Sequence, residues 1–150
     1  MAVKAGVISD THGLLRPQVL DVLASCDCIV HAGDFDTLGV YDALKAVAPL
    51  YAVRGNNDGD WAAEMPLSLS FRLEGVAFFM AHDRKRIPED LAGAHIAVFG
   101  HSHRYSEQET DGRLLLNPGG CGRRRFSLEL SMAVLWIDGG SFRLEKVALD

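Results

Sequence analysis

The chain has 150 residues, the length of one domain with little room for a second. Hydrophobic residues make up 48% and charged residues 23%, a globular balance that excludes a disordered chain and sustains a core without disulfides. The net charge of −5 argues against broad electrostatic binding to nucleic acid or anionic membrane and leaves room only for local basic patches.

Residues 3–9 form a short apolar run rich in β-branched side chains, the pattern of a buried strand. Leu15, Val19, Val22 and Leu23 then recur at helical spacing, with Pro17 suited to the first turn. Residues 28–32 are a second strand. A helix is expected over 38–47, with Thr37 as its N-cap and Pro49 marking the exit. Residues 50–54 read as a third strand. This βαβαβ order predicts a parallel sheet covered by helices. The remainder is mostly β. Glu74-Gly75, Asp111-Gly112 and Gly139-Gly140 each separate two strand-like runs, the mark of a hairpin. A short helix is expected after Pro88, and residues 96–99 are a further buried strand. Two sheets packed face to face with helices outside follow, within one unit spanning 1–150.

The apolar stretch after Lys4 stops at Ser9-Asp10, too short for a signal peptide, and the run 75–81 is far below membrane-spanning length. Three cysteines cannot all pair within one chain, so Cys26, Cys28 and Cys121 read as reduced thiols and the expected location is the cytoplasm.

Metal-competent residues gather at strand exits. Asp10 and His12 follow the first strand, Gly33-Asp34 the second and Gly55-Asn56-Asn57-Asp58 the third. His82 ends the strand 76–81, and Gly100-His101-Ser102-His103 follows 96–99. Open α/β sheets bind ligands beyond the carboxyl ends of their strands. Glycines 13, 33, 55 and 100 permit the sharp turns such exits need. A lone Asp-x-His or His-x-His is weak evidence; five exits delivering Asp, Asn or His to one edge are not an accident of composition. Asp10, His12, Asp34, Asn56, His82, His101 and His103 make seven candidates, more than one ion needs. Mixed carboxylate, imidazole and amide donors suit manganese foremost, with iron, nickel, zinc or cobalt as alternatives.

In this order and spacing the motifs resemble those of the calcineurin-like metallophosphoesterases. The short length and Asn117-Pro118-Gly119-Gly120 resemble the small bacterial and archaeal phosphodiesterase branch. The resemblance implies an α/β fold, a four-layer α/β/β/α sandwich. It implies two divalent ions, the first held by Asp10, His12 and His103 and the second by Asn56, His82 and His101, with Asp34 bridging. It further implies hydrolysis of a small phosphodiester by in-line attack of a metal-bridging hydroxide; the catalytic candidates are Asp34 and His82 from that set, with Asn57 and Asp83, where the chain departs from the family pattern. Larger phosphatases carry His where this chain has Asn57, and an amide cannot serve as an acid near neutral pH. Asp58, Asp83 or a metal-bound water is left to supply the leaving-group proton. Asp83 alternatively orients an imidazole or sits in solvent.

Arg123, Arg124 and Arg125 form the densest charge run. They read either as a solvated loop or as a capture point for substrate phosphate, since guanidinium binds phosphate in forked geometry. Arg84-Lys85-Arg86 is a second such run. His31 reads as a hydrogen-bonded core residue, His95 as surface, and Cys26 and Cys28 as small buried hydrophobes. The competing functions are a noncatalytic scaffold of the same fold, resembling the retromer subunit of that shape, and a metal-dependent nuclease. Acidic charge counts against a long nucleic acid as partner; no membrane partner is expected, and self-association into a homo-oligomer is left open.

Overall fold

The computed structural model describes residues 2–150. Its first half follows the expected order: β1 (Val3–Ile8), α1 (Pro17–Leu23), β2 (Cys28–His31), α2 (Leu38–Val47) and β3 (Leu50–Ala52). Pro17 opens α1, where its missing N–H is not needed. Thr37 caps α2, its side chain accepting from Val40 N–H at 3.3 Å. β3 is two residues shorter than expected, and beyond it Arg54 N–H bonds to the Pro66 carbonyl, outside the parallel ladder.

The second half supplies β4 (Ser68–Leu73), β5 (Val76–Ala81), β6 (Ile96–Val98), β7 (Ser106–Thr110), β8 (Arg113–Asn117), β9 (Ser131–Asp138) and β10 (Ser141–Ala148). One sheet runs β10-β9-β1-β2-β3 and the other β4-β5-β6-β8-β7. The strands that carry the candidate ligands are parallel to their neighbours: β1 with β2, β2 with β3, and β5 with β6. Parallel alignment sends their carboxyl ends to one edge, which is why residues distant in sequence meet there.

Two apolar layers hold this frame. Between the sheets lie Val7, Val30, Phe78, Met80, Val98, Leu116 and Leu135. Between the first sheet and the helices lie Ile8, Val19, Leu23, Ile29, Phe35 and Leu44. β1 and β2 feed both layers by alternation: Val7 and Val30 face the opposite sheet, Ile8 and Ile29 the helices. Each such side chain contributes about 1.5–3 kcal/mol by leaving water. Over the outward face of the second sheet the covering layer is thin. The helix expected after Pro88 is a 3₁₀ turn at Leu91–Gly93, preceded by another at Arg84–Arg86. Among the described residues no helix is long and apolar enough to cross a membrane.

Candidate metal centre

Within each sheet the strand exits are laced together by backbone. Asp10 N–H donates to the Gly33 carbonyl at 3.0 Å, His12 N–H to that of Asp34 at 3.0 Å, and Gly100 N–H to that of His82 at 3.0 Å. Such close approach explains two glycines. A Cβ at Gly55 would strike the Asp34 carboxylate, and one at Gly100 would strike Ser9 Oγ. Asp10, His12, Asp34, Asp36, His101 and His103 all have φ between 46° and 73°, a region that costs most side chains free energy. Six of the eleven non-glycine residues with positive φ among the described residues thus belong to this one edge. Such concentration is typical of functional sites, where strain is held by the surrounding fold.

Asp10 is fully buried. Its Oδ2 accepts from Ser9 Oγ–H at 2.8 Å and from His101 N–H at 3.0 Å. Its Oδ1 has no hydrogen-bond partner among the described residues, yet lies 3.5 Å from His12 Nε2, 3.5 Å from His103 Nε2 and 3.9 Å from His82 Nε2. The Nε2 atoms of His12 and His103 are 3.1 Å apart. Beside this group, Asp34 Oδ2 is 3.1 Å from His82 Nε2 and 3.7 Å from His12 Nε2. His101 Nδ1 is 3.3 Å from His82 Nε2 and 3.1 Å from Asn56 Oδ1. Asp34 therefore faces both clusters.

These donors fit cations. An ion held by bonds of about 2.0–2.2 Å keeps its donors roughly 3 Å apart, the spacing seen here. A buried carboxylate oxygen without a hydrogen-bond donor is costly unless something positive meets it. The ring nitrogens aimed inward are also prepared as donors. His82 Nδ1–H donates to the Ala32 carbonyl at 2.8 Å, and His12 Nδ1–H donates to the Asp36 carboxylate at 3.0 and 3.1 Å. Both leave Nε2 to point inward.

The charges respond to this crowding. Burial pushes the Asp10 carboxyl up, but His12, His82, His103 and Ser9 pull it down by more, leaving it below the usual carboxylate range. Asp34 behaves alike: burial raises it, while His82, the Asn57 N–H and His12 lower it further than burial lifts it. The Asp10 carboxylate holds His12 up at about 9, against burial and with help from Asp36. His82 is raised despite burial by Asp34 and Asp10, whereas burial, with His12 and Arg125, lowers His103.

All seven sequence-derived ligands converge here, and the remaining candidates divide. Asn57 does not face the centre as a proton donor. Its backbone N–H donates to Asp34 Oδ1 at 2.8 Å, and its side-chain amide to Asp34 Oδ2 at 3.3 Å. Asp83 caps the turn Arg84–Arg86, accepting from Lys85 N–H at 3.0 Å. Asp58 is buried, and its two oxygens already accept from the backbone N–H groups of Asp34, Asp36 and Gly55. It ties the second strand exit to the third. The three arginines separate as well. Arg123 Nε–H donates to the His12 carbonyl at 3.0 Å, Arg124 pairs with Asp150, and Arg125 acts electrostatically on His103.

His31 is fully buried, stacked on Phe35 with ring centroids 3.6 Å apart. Its Nδ1 accepts from Gly33 N–H at 3.0 Å, so its Nε2–H donates to Thr11 Oγ1 at 3.0 Å. Burial lowers its pKa to about 3, which keeps the ring neutral while it braces two ligand-bearing loops. His95 is exposed, as expected. Sequence reasoning missed Asp36, which follows Asp34 by two residues, and gave Asn117 no role beyond its place in the Asn117-Pro118-Gly119-Gly120 segment. The Asn117 amide donates to the Gly100 carbonyl at 3.2 Å and Ser102 Oγ at 3.1 Å, bracing the His101–His103 turn.

Carboxylates and imidazoles converging at the strand exits of a two-sheet α/β frame define a metal-dependent hydrolase class. The chain belongs to the calcineurin-like phosphoesterase superfamily, whose domain matches residues 3–140. Its members use divalent metals. The chain is 31% identical to a probable metallophosphoesterase of Methanothermobacter thermautotrophicus, covering 89% of this chain and 86% of that one. It is 27% identical to a phosphodiesterase of Methanocaldococcus jannaschii, covering 79% and 84% respectively. In fold it resembles vacuolar protein sorting 29 of Cryptosporidium parvum, with a TM-score of 0.82 at 16% identity over 99% of this chain and 98% of that one.

Proposed function

We propose that this protein is a phosphodiesterase that works with two divalent ions, manganese foremost, on small phosphodiesters. The observation that carries the reading is the Asp34 carboxylate facing two donor clusters at once, beside the unpartnered Asp10 Oδ1. Asp10, His12 and His103 would hold one ion, Asn56, His82 and His101 the other, with Asp34 common to both. Ions bound there supply Lewis acidity toward phosphoryl oxygens and toward water. The chain's own part is positional. Ser9 and His101 N–H fix Asp10, Asn57 fixes Asp34, and Ala32 and Asp36 fix the rings of His82 and His12. Arg125 adds positive charge beside His103, where an anionic substrate gains from it.

The preference for diesters rests on Asn57. Its amide is committed to Asp34, and Asp58 and Asp83 are committed to backbone N–H groups. An acidic side chain is thus lacking where an alkoxide leaving group would need one, so activated diesters suit this centre better than alkyl monoesters. The test is release of nitrophenol from bis(p-nitrophenyl) phosphate by manganese-loaded protein, compared with hydrolysis of an alkyl monoester. Metal-dependent release that exceeds monoester turnover supports the proposal. Faster monoester turnover contradicts the diester assignment, and no release from any ester favours the scaffold, which the likeness to vacuolar protein sorting 29 keeps in view.

A further inference from the structure

We propose that Asp36 is a positioning residue that sets the ring orientation and tautomer of His12 and thereby the affinity of the Asp10, His12 and His103 group for its ion. The inference rests on the two-ion reading above. Both Asp36 oxygens lie within hydrogen-bond distance of His12 Nδ1, at 3.0 and 3.1 Å. An ionised carboxylate can only accept, so Nδ1 keeps its proton and Nε2 is the nitrogen that gives up its proton to an ion. That Nε2 points at Asp10 Oδ1, His103 Nε2 and Asp34 Oδ2. Carboxylate partners of this kind orient a ligating ring and raise its basicity. His82 is backed by the neutral Ala32 carbonyl instead. The two clusters therefore differ in the charge behind an inward-facing imidazole.

Asp36 is itself held for the task. Its backbone N–H donates to Asp58 Oδ1 at 2.9 Å, and its φ is 69°. Asp and Asn tolerate that region better than most residues, and glycine adopts it freely. Asp34, Asp36 and Asp58 come close enough to suggest an ion of their own. However, the Asp36 oxygens serve His12 and the Asp58 oxygens serve backbone N–H groups. The trio is a support for the centre.

The backbone conformation makes the test discriminating. Asp36→Gly removes the carboxylate without straining the turn, so a role confined to the turn would leave that variant unimpaired. Asp36→Asn keeps an oxygen able to accept from Nδ1–H and removes the charge. Zinc is the probe, with affinity read by competition against a chromophoric chelator. The zinc-loaded proteins are also examined by NMR for the slowly exchanging Nδ1 proton of His12. We expect Asp36→Gly to hold its zinc about 10- to 100-fold more weakly and to lose the protected proton resonance. Asp36→Asn should keep the resonance and lose less affinity, and it carries the test should the glycine variant fail to fold. Equal zinc affinity in all three proteins, or an unchanged Nδ1 resonance in Asp36→Gly, overturns the proposal. A wild type that binds one ion overturns the two-ion reading alone, since the three proteins still compare at that ion. Asn56→Ala, a change in the other cluster, should leave the His12 resonance in place.

Discussion

The two donor clusters are built from opposite kinds of surroundings. Asp10 and His103 are closed in, at 0% and 5% exposure, and His12 is backed by a carboxylate. In the other cluster His82 is buried, but His101 and Asn56 stand in solvent. The closed cluster carries buried charge that protein hydrogen bonds leave incompletely met, so an ion held there would be coupled to folding. The open cluster is reachable from solvent, and water can meet its side chains whether or not an ion is held there. Asp34 Oδ2 joins the two through His12 and His82, and Asp10 reaches across them through His82 and the His101 N–H.

That contrast can be broken most severely at its joint. Asp34→Ala should lower turnover by about 1000-fold, roughly 4 kcal/mol of barrier, because both clusters lose a donor together; steady-state kinetics with saturating manganese measures it. The next effect separates the clusters. His103→Gly and His101→Gly should each depress turnover strongly, yet added imidazole should restore only His101→Gly, whose ring is exposed. Equal rescue of both by imidazole would erase the distinction between a closed and an open half. A third measurement reads the coupling of ion and fold. An ion bound only by the folded chain stabilises it by about 2.7 kcal/mol at 100 times its dissociation constant. Manganese should thus raise the unfolding midpoint and a chelator should remove the gain. His103→Gly should lose more of that gain than His101→Gly. The smallest effect lies at the rim. Arg125→Ala should raise KM several-fold with little change in kcat, and salt should shrink the difference. Arg124→Ala should leave KM unchanged, since its guanidinium already pairs with Asp150.

Much of this was legible in the sequence because ligands and strands announce one another. The apolar run before Asp10 and the one before Gly33-Asp34 have strand length and strand composition, and a parallel sheet brings such exits together. Asp111-Gly112 marked its hairpin for the same local reason: it joins β7 to β8, with φ of 54° and 76° at the two turn residues. What escaped depends on partners far along the chain. Asp36 gains its place only when His12, 24 residues away, folds beside it. Asp58 clamps Asp34 and Asp36, 24 and 22 residues away, and nothing in Asn-Asn-Asp says that its oxygens will meet backbone N–H groups. Likewise the run of three arginines looks uniform until Asp150 takes the middle one and the His12 carbonyl the first. The short helix expected after Pro88 is reduced to a single 3₁₀ turn for a local reason. Leu91 and Ala92 adopt φ of 54° and 55°, left-handed values through which no right-handed α-helix continues, so only the 3₁₀ turn Leu91–Gly93 forms.

The two proposed ions would share one centre and depend on one carboxylate, that of Asp34. Elemental analysis of manganese-loaded protein, after removal of unbound metal, tests this most directly when wild type and Asp34→Ala are compared. Two ions per chain are expected in wild type, and losses from both clusters in Asp34→Ala. One tightly held ion in wild type, unaffected by that substitution, would contradict the two-ion reading.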